Sequence, residues 1–268
     1  MPKGVLYDAN ICIGCRACQV ACKQWNELPA EETTNTGTLE NPPKLSAHTF
    51  TKLRFREVED NGKFHWVFAK IQCMHCEEPA CAAACLVGAL QKTEEGPVVY
   101  DDRRCIGCRY CMMACPFGVP TFEWDEAWPW IRKCTFCADR QSGGLQPACV
   151  TTCPTGALEL GERDELIAVA RSRIAAHPDE YVDHIYGENE VGGTSWMYIS
   201  PVPFEKLGFP TLGMDAVTIN PERAMSAVPP ALIAVAGLMS GIYWLTKRRN
   251  KLSRERAGNQ DEKEEVMK

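Results

Sequence analysis

The chain has 268 residues, 45% hydrophobic and 24% charged, with a formal net charge of −6. That composition excludes a disordered chain, a collagen-like repeat and a coiled coil, and the acidic balance argues against nucleic acid as a partner. Sixteen cysteines stand far above ordinary usage and fall into four groups of four, with none left over.

The first group is Cys12, Cys15, Cys18 and Cys22. Thiolates are soft ligands that suit iron–sulfur clusters. The C-x2-C-x2-C-x3-C spacing puts three of them on one tight loop and the fourth on a following helix. An insertion over about 23–72 comes next. It opens as a polar loop through Pro29, Pro42 and Pro43. Phe50 to Val58 then alternates as a half-buried strand does, Asp60-Asn61-Gly62 signals a turn, and Phe64 to Ile71 reads as a second strand. This hairpin is read as a structural cover for a cluster, with partner docking as an additional role.

The second group, Cys73, Cys76, Cys81 and Cys85, is a stretched version of the first. His75 lies between two of its members and is read as a packed histidine, not an iron ligand. The third group, Cys105, Cys108, Cys111 and Cys115, repeats the compact spacing and ends in Pro116. Trp124, Trp128 and Trp130 follow, expected in the core or at a subunit interface. The fourth group is Cys134, Cys137, Cys149 and Cys153, ending in Pro154. Arg16, Arg109, Arg132 and Lys133 flank these cysteines. They either favour the more negative reduced state of a cluster or pair with surface acids.

An internal repeat supports ferredoxin-type chemistry. Cys12-Ile13-Gly14-Cys15-Arg16 reappears as Cys105-Ile106-Gly107-Cys108-Arg109. Pro79-Ala80-Cys81 with Gly88-Ala89-Leu90 reappears as Pro147-Ala148-Cys149 with Gly156-Ala157-Leu158. The order of motifs is that of a duplicated two-motif unit. Fourth cysteines are exchanged between paired groups in two-cluster ferredoxins, but spacing leaves open whether group one pairs with two or with four. Disulfides suit small secreted domains, and zinc is usually held by well-separated CxxC pairs. Neither matches three thiolates within seven residues.

Glu162 to Ala176 reads as an amphipathic helix with Leu166, Ile167, Ala170 and Ile174 on one side. Gly192-Gly193 reads as a turn, without the glycine pattern of a phosphate loop. Pro201, Pro203, Pro210 and Pro221 mark a linker over 201–226. Ala227 to Leu245 then spans 19 residues without a charge. At about 1.5 Å per residue it reaches roughly 28 Å, close to the hydrocarbon thickness of a bilayer. Pro229 and Pro230 are expected at or just before its first turn, where proline is tolerated. Lys247, Arg248, Arg249, Lys251, Arg254 and Arg256 follow, so the positive-inside rule puts the C-terminus in the cytoplasm and the cysteine-rich body on the other side. The last residues, from Ala257, are expected to lack fixed structure. Met1 to Asn10 has no apolar signal core, so export is expected through a partner that carries the signal.

Cys12 to Trp25, Cys73-Met74-His75-Cys76-Glu77, Cys105 to Pro120, Lys133 to Cys137 and Pro147 to Leu158 resemble the four-cluster electron-transfer subunits of molybdopterin oxidoreductases. Asn41-Pro42, Leu45-Ser46-Ala47, Asn61-Gly62-Lys63, Val191-Gly192-Gly193-Thr194 and Met197-Tyr198 are similar to the iron–sulfur (beta) subunit of membrane-bound respiratory formate dehydrogenase. So is the C-terminal helix.

The resemblance implies a non-catalytic electron-transfer subunit of an oxidoreductase complex. Electrons pass from a molybdenum or tungsten pterin catalytic (alpha) subunit that oxidises formate. They run through four [4Fe–4S] clusters to a membrane cytochrome b (gamma) subunit and so to quinone. It further implies clusters on Cys12, Cys15, Cys18 and Cys153; on Cys134, Cys137, Cys149 and Cys22; on Cys73, Cys76, Cys81 and Cys115; and on Cys105, Cys108, Cys111 and Cys85. The expected architecture is α+β. Duplicated ferredoxin-like modules, each holding two clusters, occupy 1–200 with an inserted hairpin. The linker 201–226, a transmembrane helix over 227–246 and a basic then acidic cytoplasmic tail over 247–268 follow. The chain is then a single-pass protein of the inner membrane, in contact with lipid, its clusters on the periplasmic side. Leu86 stands where relatives carry proline after the cysteine; no ligand is lost. The rival readings are the same module in a sulfur-compound reductase or membrane hydrogenase, and a structural zinc scaffold.

Overall fold

A computed structural model describes the backbone of residues 2–35, 37–60 and 62–266, and the side chains of these except 220–224 and 254–266. The chain divides into two units, Met1–Thr218 and Ile219–Lys268.

The first unit is built on strand β1 (Lys3–Asp8). It pairs antiparallel with β8 (Leu158–Glu162) and parallel with β9 (Trp196–Ile199). Alternate side chains of a strand face opposite ways. Leu6, Met197 and Ile199 therefore pack on Leu166, Ala170 and Ile174 of helix α6 (Arg163–Ala176). Val5, Tyr7, Trp196 and Tyr198 face the other way, into the larger core that contains Cys18 and Cys149. The α6 helix starts with Asp164 and Glu165 and ends with Arg173, charges that suit the two ends of its dipole. Its buried stripe is the one that the sequence pattern marks.

The duplicated unit folds as a nest. Helix α1 (Ala17–Trp25), carrying group one, packs on α5 (Ala148–Thr151), carrying group four. Between them in sequence, α2 (Ala80–Ala83) packs on α3 (Tyr110–Ala114), joining groups two and three. The strands repeat the relation. Tyr7 opposes Leu158 across β1 and β8. Tyr100 opposes Leu90 across β4 (Leu90–Lys92) and β5 (Val98–Tyr100). The Asp8 amide donates to the Ala157 carbonyl at 2.9 Å, and the Asp101 amide to that of Ala89 at 2.8 Å. Strand β6 (Thr121–Phe122) pairs with β7 (Ile131–Arg132), and the short helix α4 (Ala138–Ser142) follows within the fourth group. Leu90, Val98 and Ile131 form the apolar core of the inner module, beside Cys81 and Cys111.

Residues 52–71 form the longest antiparallel pair, β2 (Lys52–Asp60) with β3 (Lys63–Ile71), in register from Lys52↔Ile71 to Asp60↔Lys63. Asn61, in the expected turn, lies outside the described residues. The base of the hairpin is buried through Leu53, Val67 and Ala69, while Phe64 and Trp66 near its tip are exposed. A Cβ at Gly14 would meet the Phe68 ring at 2.9 Å, so the hairpin lies directly on the first cysteine loop.

Three expectations change. Residues 201–218 are not a bare linker, because Val202, Phe204, Leu207 and Phe209 are buried in the main core. Phe204 and Phe209 pack on Tyr186 at ring separations of 5.2 and 4.9 Å. The apolar residues there have no regular period, since the chain turns repeatedly. The C-terminal helix, α7, runs from Ile219 to Val266, well beyond the apolar stretch. Pro229 and Pro230 therefore lie inside it, not in its first turn. The charged tail continues it in place of an unstructured end, and its Arg, Lys, Glu and Gln residues are good helix formers.

Within this second unit, Met225–Ser253 is long and apolar enough to cross a membrane; its most apolar 18 residues have a mean hydropathy of 1.7 and none of them is buried. Lys247 and Arg248 lie over the rings of Tyr243 and Trp244 at 5.8 and 5.3 Å.

Candidate cluster-binding sites

The cysteine loops are turned by left-handed backbone. Gly14 and Gly107 share φ of 68°, and Arg16 and Arg109 share φ of 62°. The two loops are thus conformational copies, as their shared sequence requires. The turns aim amides at sulfur. The Gly14 N–H donates to Cys12 Sγ at 3.5 Å, Gly107 to Cys105 at 3.4 Å, Phe136 to Cys134 at 3.4 Å and Ala89 to Cys85 at 3.2 Å. Such bonds stabilise negative charge on sulfur.

The fold gathers the sulfurs into fours. Cys12, Cys15, Cys18 and Cys153 line one cavity with Tyr7 and Leu53. Cys22, Cys134, Cys137 and Cys149 line a second with Lys70 and Trp196. Cys85, Cys105, Cys108 and Cys111 line a third with Tyr100 and Ile131. In the remaining set, burial pushes the Cys76 thiol up, and proximity to Cys73, Cys115 and Cys81 pushes it further.

Burial dominates the acidity of these thiols. It pushes Cys18, Cys22 and Cys81 up to about 12. Lys70 acts in the opposite direction on Cys18 and Cys22. A buried thiol ionises only against compensating positive charge, which bound iron supplies.

The residues present fit iron–sulfur clusters. The donor sets are wholly soft sulfur. Among the described residues, no three His, Cys, Asp or Glu side chains converge to hold a single metal ion. The sulfurs stand around spaces, as a multi-iron group needs.

His75 adds a second sign. It is fully buried, its Nδ1 accepts from the Val98 amide at 2.9 Å, and its ring lies 5.0 Å from that of Phe136. Burial, then Lys133, Lys92 and Lys70, hold it well below the usual histidine range, so the ring is neutral. Its proton is therefore on Nε2, which finds no partner among the described residues. A buried N–H of this kind calls for an acceptor outside the polypeptide.

The flanking cations divide. Arg132 pairs with Glu123. Arg16 donates to the Leu39 carbonyl and lies over Phe55 at 4.8 Å. Arg109 lies over Phe122 and Trp124 at 5.5 and 5.1 Å. Lys133 is buried and donates to the carbonyls of Val98 and Cys134. Among the described residues, Arg132 is the one of these four that meets an acid as a surface pair would. Trp124 and Trp128 are exposed, which excludes the core for both, while Trp130 is half-buried.

Sequence reasoning missed Lys70, Tyr7 and Tyr100 beside the cysteines. Extending the repeat by a few residues finds the tyrosines, since each stands at the same distance before the first cysteine of its group.

Comparison with known proteins agrees with this geometry. The 4Fe-4S dicluster domain family matches residues 64–163, and a second family of the same description matches 11–89. A protein of Nitratidesulfovibrio vulgaris (Hildenborough) is 44% identical over 256 residues, 94% of this chain and 69% of its own length. The formate dehydrogenase, nitrate-inducible, iron-sulfur subunit of Escherichia coli K12 is 43% identical over 197 residues. The chain belongs to the family of 4Fe–4S iron–sulfur subunits. The stretch shared with the E. coli subunit is 72% of this chain and 66% of the relative. The Hydrogenase-2 operon protein HybA of E. coli O157:H7 is 32% identical over 294 residues, 97% of this chain and 88% of that one. Sixteen cysteines, two dicluster matches and these relatives support four [4Fe–4S] clusters and an electron-transfer role.

Proposed function

We propose that the chain is the electron-transfer subunit of a respiratory formate dehydrogenase. In this reading the four cysteine quartets each ligate one [4Fe–4S] cluster. The outer module holds the clusters of Cys12, Cys15, Cys18 and Cys153 and of Cys22, Cys134, Cys137 and Cys149. The inner module holds those of Cys73, Cys76, Cys81 and Cys115 and of Cys85, Cys105, Cys108 and Cys111. When bound, the clusters supply one-electron transfer. The polypeptide spaces them, excludes water and stabilises charge on sulfur through the Gly14, Gly107, Phe136 and Ala89 amides. The gathering of cysteines from distant parts of the chain around shared cavities is the observation that carries the reading.

The electron donor is a molybdenum or tungsten pterin catalytic subunit, and the acceptor a membrane cytochrome b that reduces quinone. Residues 1–218 form the cluster body, and α7 anchors it through Met225–Ser253. Lys247, Arg248, Arg249 and Lys251 hold the C-terminal side in the cytoplasm, leaving the clusters on the periplasmic face. Anaerobic addition of formate to the detergent-solubilised complex bleaches the cluster absorbance within the mixing time of a turnover experiment. Bleaching by dithionite alone removes formate and keeps the wire.

One observation favours a second reading. The likeness to HybA runs over 97% of this chain, against 72% for the E. coli formate dehydrogenase subunit. A hydrogenase partner would give bleaching by hydrogen and none by formate.

A further inference from the structure

Lys70 sits on β3 with 1% exposure. A buried ammonium is ordinarily matched by a carboxylate, because leaving water is costly for a charge. Among the described residues Lys70 has no such match. Its Nζ donates to Thr51 Oγ1 at 2.7 Å and to Gln72 Oε1 at 3.1 Å, both neutral. It also lies 4.6 Å above the Trp196 ring. Among the described residues no acidic side chain pairs with it.

What surrounds Lys70 instead is sulfur. It lines the cavity of Cys22, Cys134, Cys137 and Cys149. Across the hairpin it stands opposite Leu53, which lines the neighbouring cavity of Cys12, Cys15, Cys18 and Cys153. The hairpin therefore carries one fixed positive charge to the boundary between the two outer quartets.

The support around this charge is elaborate. The Gln72 side chain is fixed by donation to the Tyr198 hydroxyl, and that hydroxyl donates to the Lys70 carbonyl at 3.1 Å. Lys70, Thr51, Gln72 and Tyr198 are all buried. Their bonds hold the ammonium in one place, which a charge that acts at a distance requires.

We propose that Lys70 is a positioning charge that raises the reduction potentials of the two outer clusters together. The inference rests on the ligand sets given under the proposed function. A cluster gains one negative charge when it accepts one electron from its donor, and a nearby cation in a dry site favours that state. The same charge answers Lys70's own lack of a counter-ion. On this view the insertion is part of the wire, since its second strand delivers a charge that neither duplicated motif contains.

The test is an EPR-monitored potentiometric titration of the complete anaerobic complex carrying Lys70→Met, Lys70→Gln or Lys70→Arg. In the wild type, four clusters must first be assigned to this chain, and a different number overturns the ligand sets before Lys70 is considered. With four present, Lys70→Met lowers the reduction equilibrium of the two outer clusters at least tenfold, about 59 mV for a one-electron couple. The inner pair stays unchanged, and Lys70→Arg restores most of the shift. Unchanged outer potentials in a fully loaded Lys70→Met complex overturn the proposal. Should Lys70→Met fail to load, the same titration is read on Lys70→Gln. Loading by Arg alone supports a requirement for charge, whereas failure of all three assigns Lys70 to packing and overturns it.

Discussion

Tyr7 stands directly opposite Leu158 in the antiparallel pair of β1 and β8. That contact joins the strand leading into the first cysteine group to the strand leaving the fourth. It fixes which ends of the duplicated unit meet, and the inner module repeats it with Tyr100 and Leu90.

The pairing yields opposite outcomes for two nearby cysteines. Cys153→Ser disturbs the cluster of Cys12, Cys15 and Cys18 and leaves the other three cubanes. Cys22→Ser disturbs the cluster of Cys134, Cys137 and Cys149. EPR of the reduced proteins checks this, because each variant must lose a different signal. Loss of the same signal in both would contradict the nested arrangement.

A glycine at a tight approach offers a test of packing. Gly187 has φ of 93°, and a Cβ there would lie 2.2 Å from the Trp196 carbonyl oxygen and 2.5 Å from Thr194 Oγ1. Gly213 has open space around it. Gly187→Ala therefore costs more than about 1 kcal/mol, while Gly213→Ala stays within roughly half of that. Denaturant midpoints of the two variants, measured anaerobically, give the comparison.

Glu40 ties the loop of the insertion to its hairpin. It accepts from Lys52 and Arg56, each at 2.6 Å, and from the Phe55 amide at 3.3 Å. Burial alone would raise its pKa, but Lys52 and Arg56 more than offset that and hold it below the usual carboxylate range. The unfolded chain then binds the proton first, so Glu40 stabilises the fold above about pH 4.3 and less as pH falls. Glu40→Gln leaves the nearly buried Lys52 without its carboxylate, at a cost of about 1–3 kcal/mol near neutral pH. Thermal midpoints at pH 7 measure the loss. The gap to wild type narrows as the medium approaches pH 4.

Local patterns were the readable part of this molecule. The cysteine groups, the alternation in β2 and β3, and the stripe of Leu166, Ala170 and Ile174 each repeat with the period of one loop, strand or helix. The partnership of Cys153 with the first group was not readable from spacing, because it depends on a sheet closed by residues far apart in sequence. Val202, Phe204, Leu207 and Phe209 were hidden for a related reason: each enters the core from a separate turn. Lys70 reads as an ordinary strand-face polar residue until β3 is seen to be buried at its base. The interior of Pro229 and Pro230 within α7 was also missed, since hydropathy marks the apolar stretch and not the helix around it.

The exposed helix makes its own forecast. Sodium carbonate at high pH leaves the chain in the membrane pellet, and removing 225–268 releases the cluster body. Protease added from the periplasmic side spares a C-terminal epitope tag. Digestion of the tag in sealed, right-side-out vesicles would reverse the orientation inferred from Lys247, Arg248 and Arg249.

The central claim is that all sixteen cysteines serve four [4Fe–4S] clusters. Iron, zinc and acid-labile sulfide, determined on the full-length chain isolated anaerobically from its partners, alongside EPR spin integration, test it most directly. The account predicts iron and sulfide in equal amounts, sufficient for four cubanes, and no stoichiometric zinc. Zinc at the cysteines, or iron and sulfide for fewer than four clusters, would contradict it.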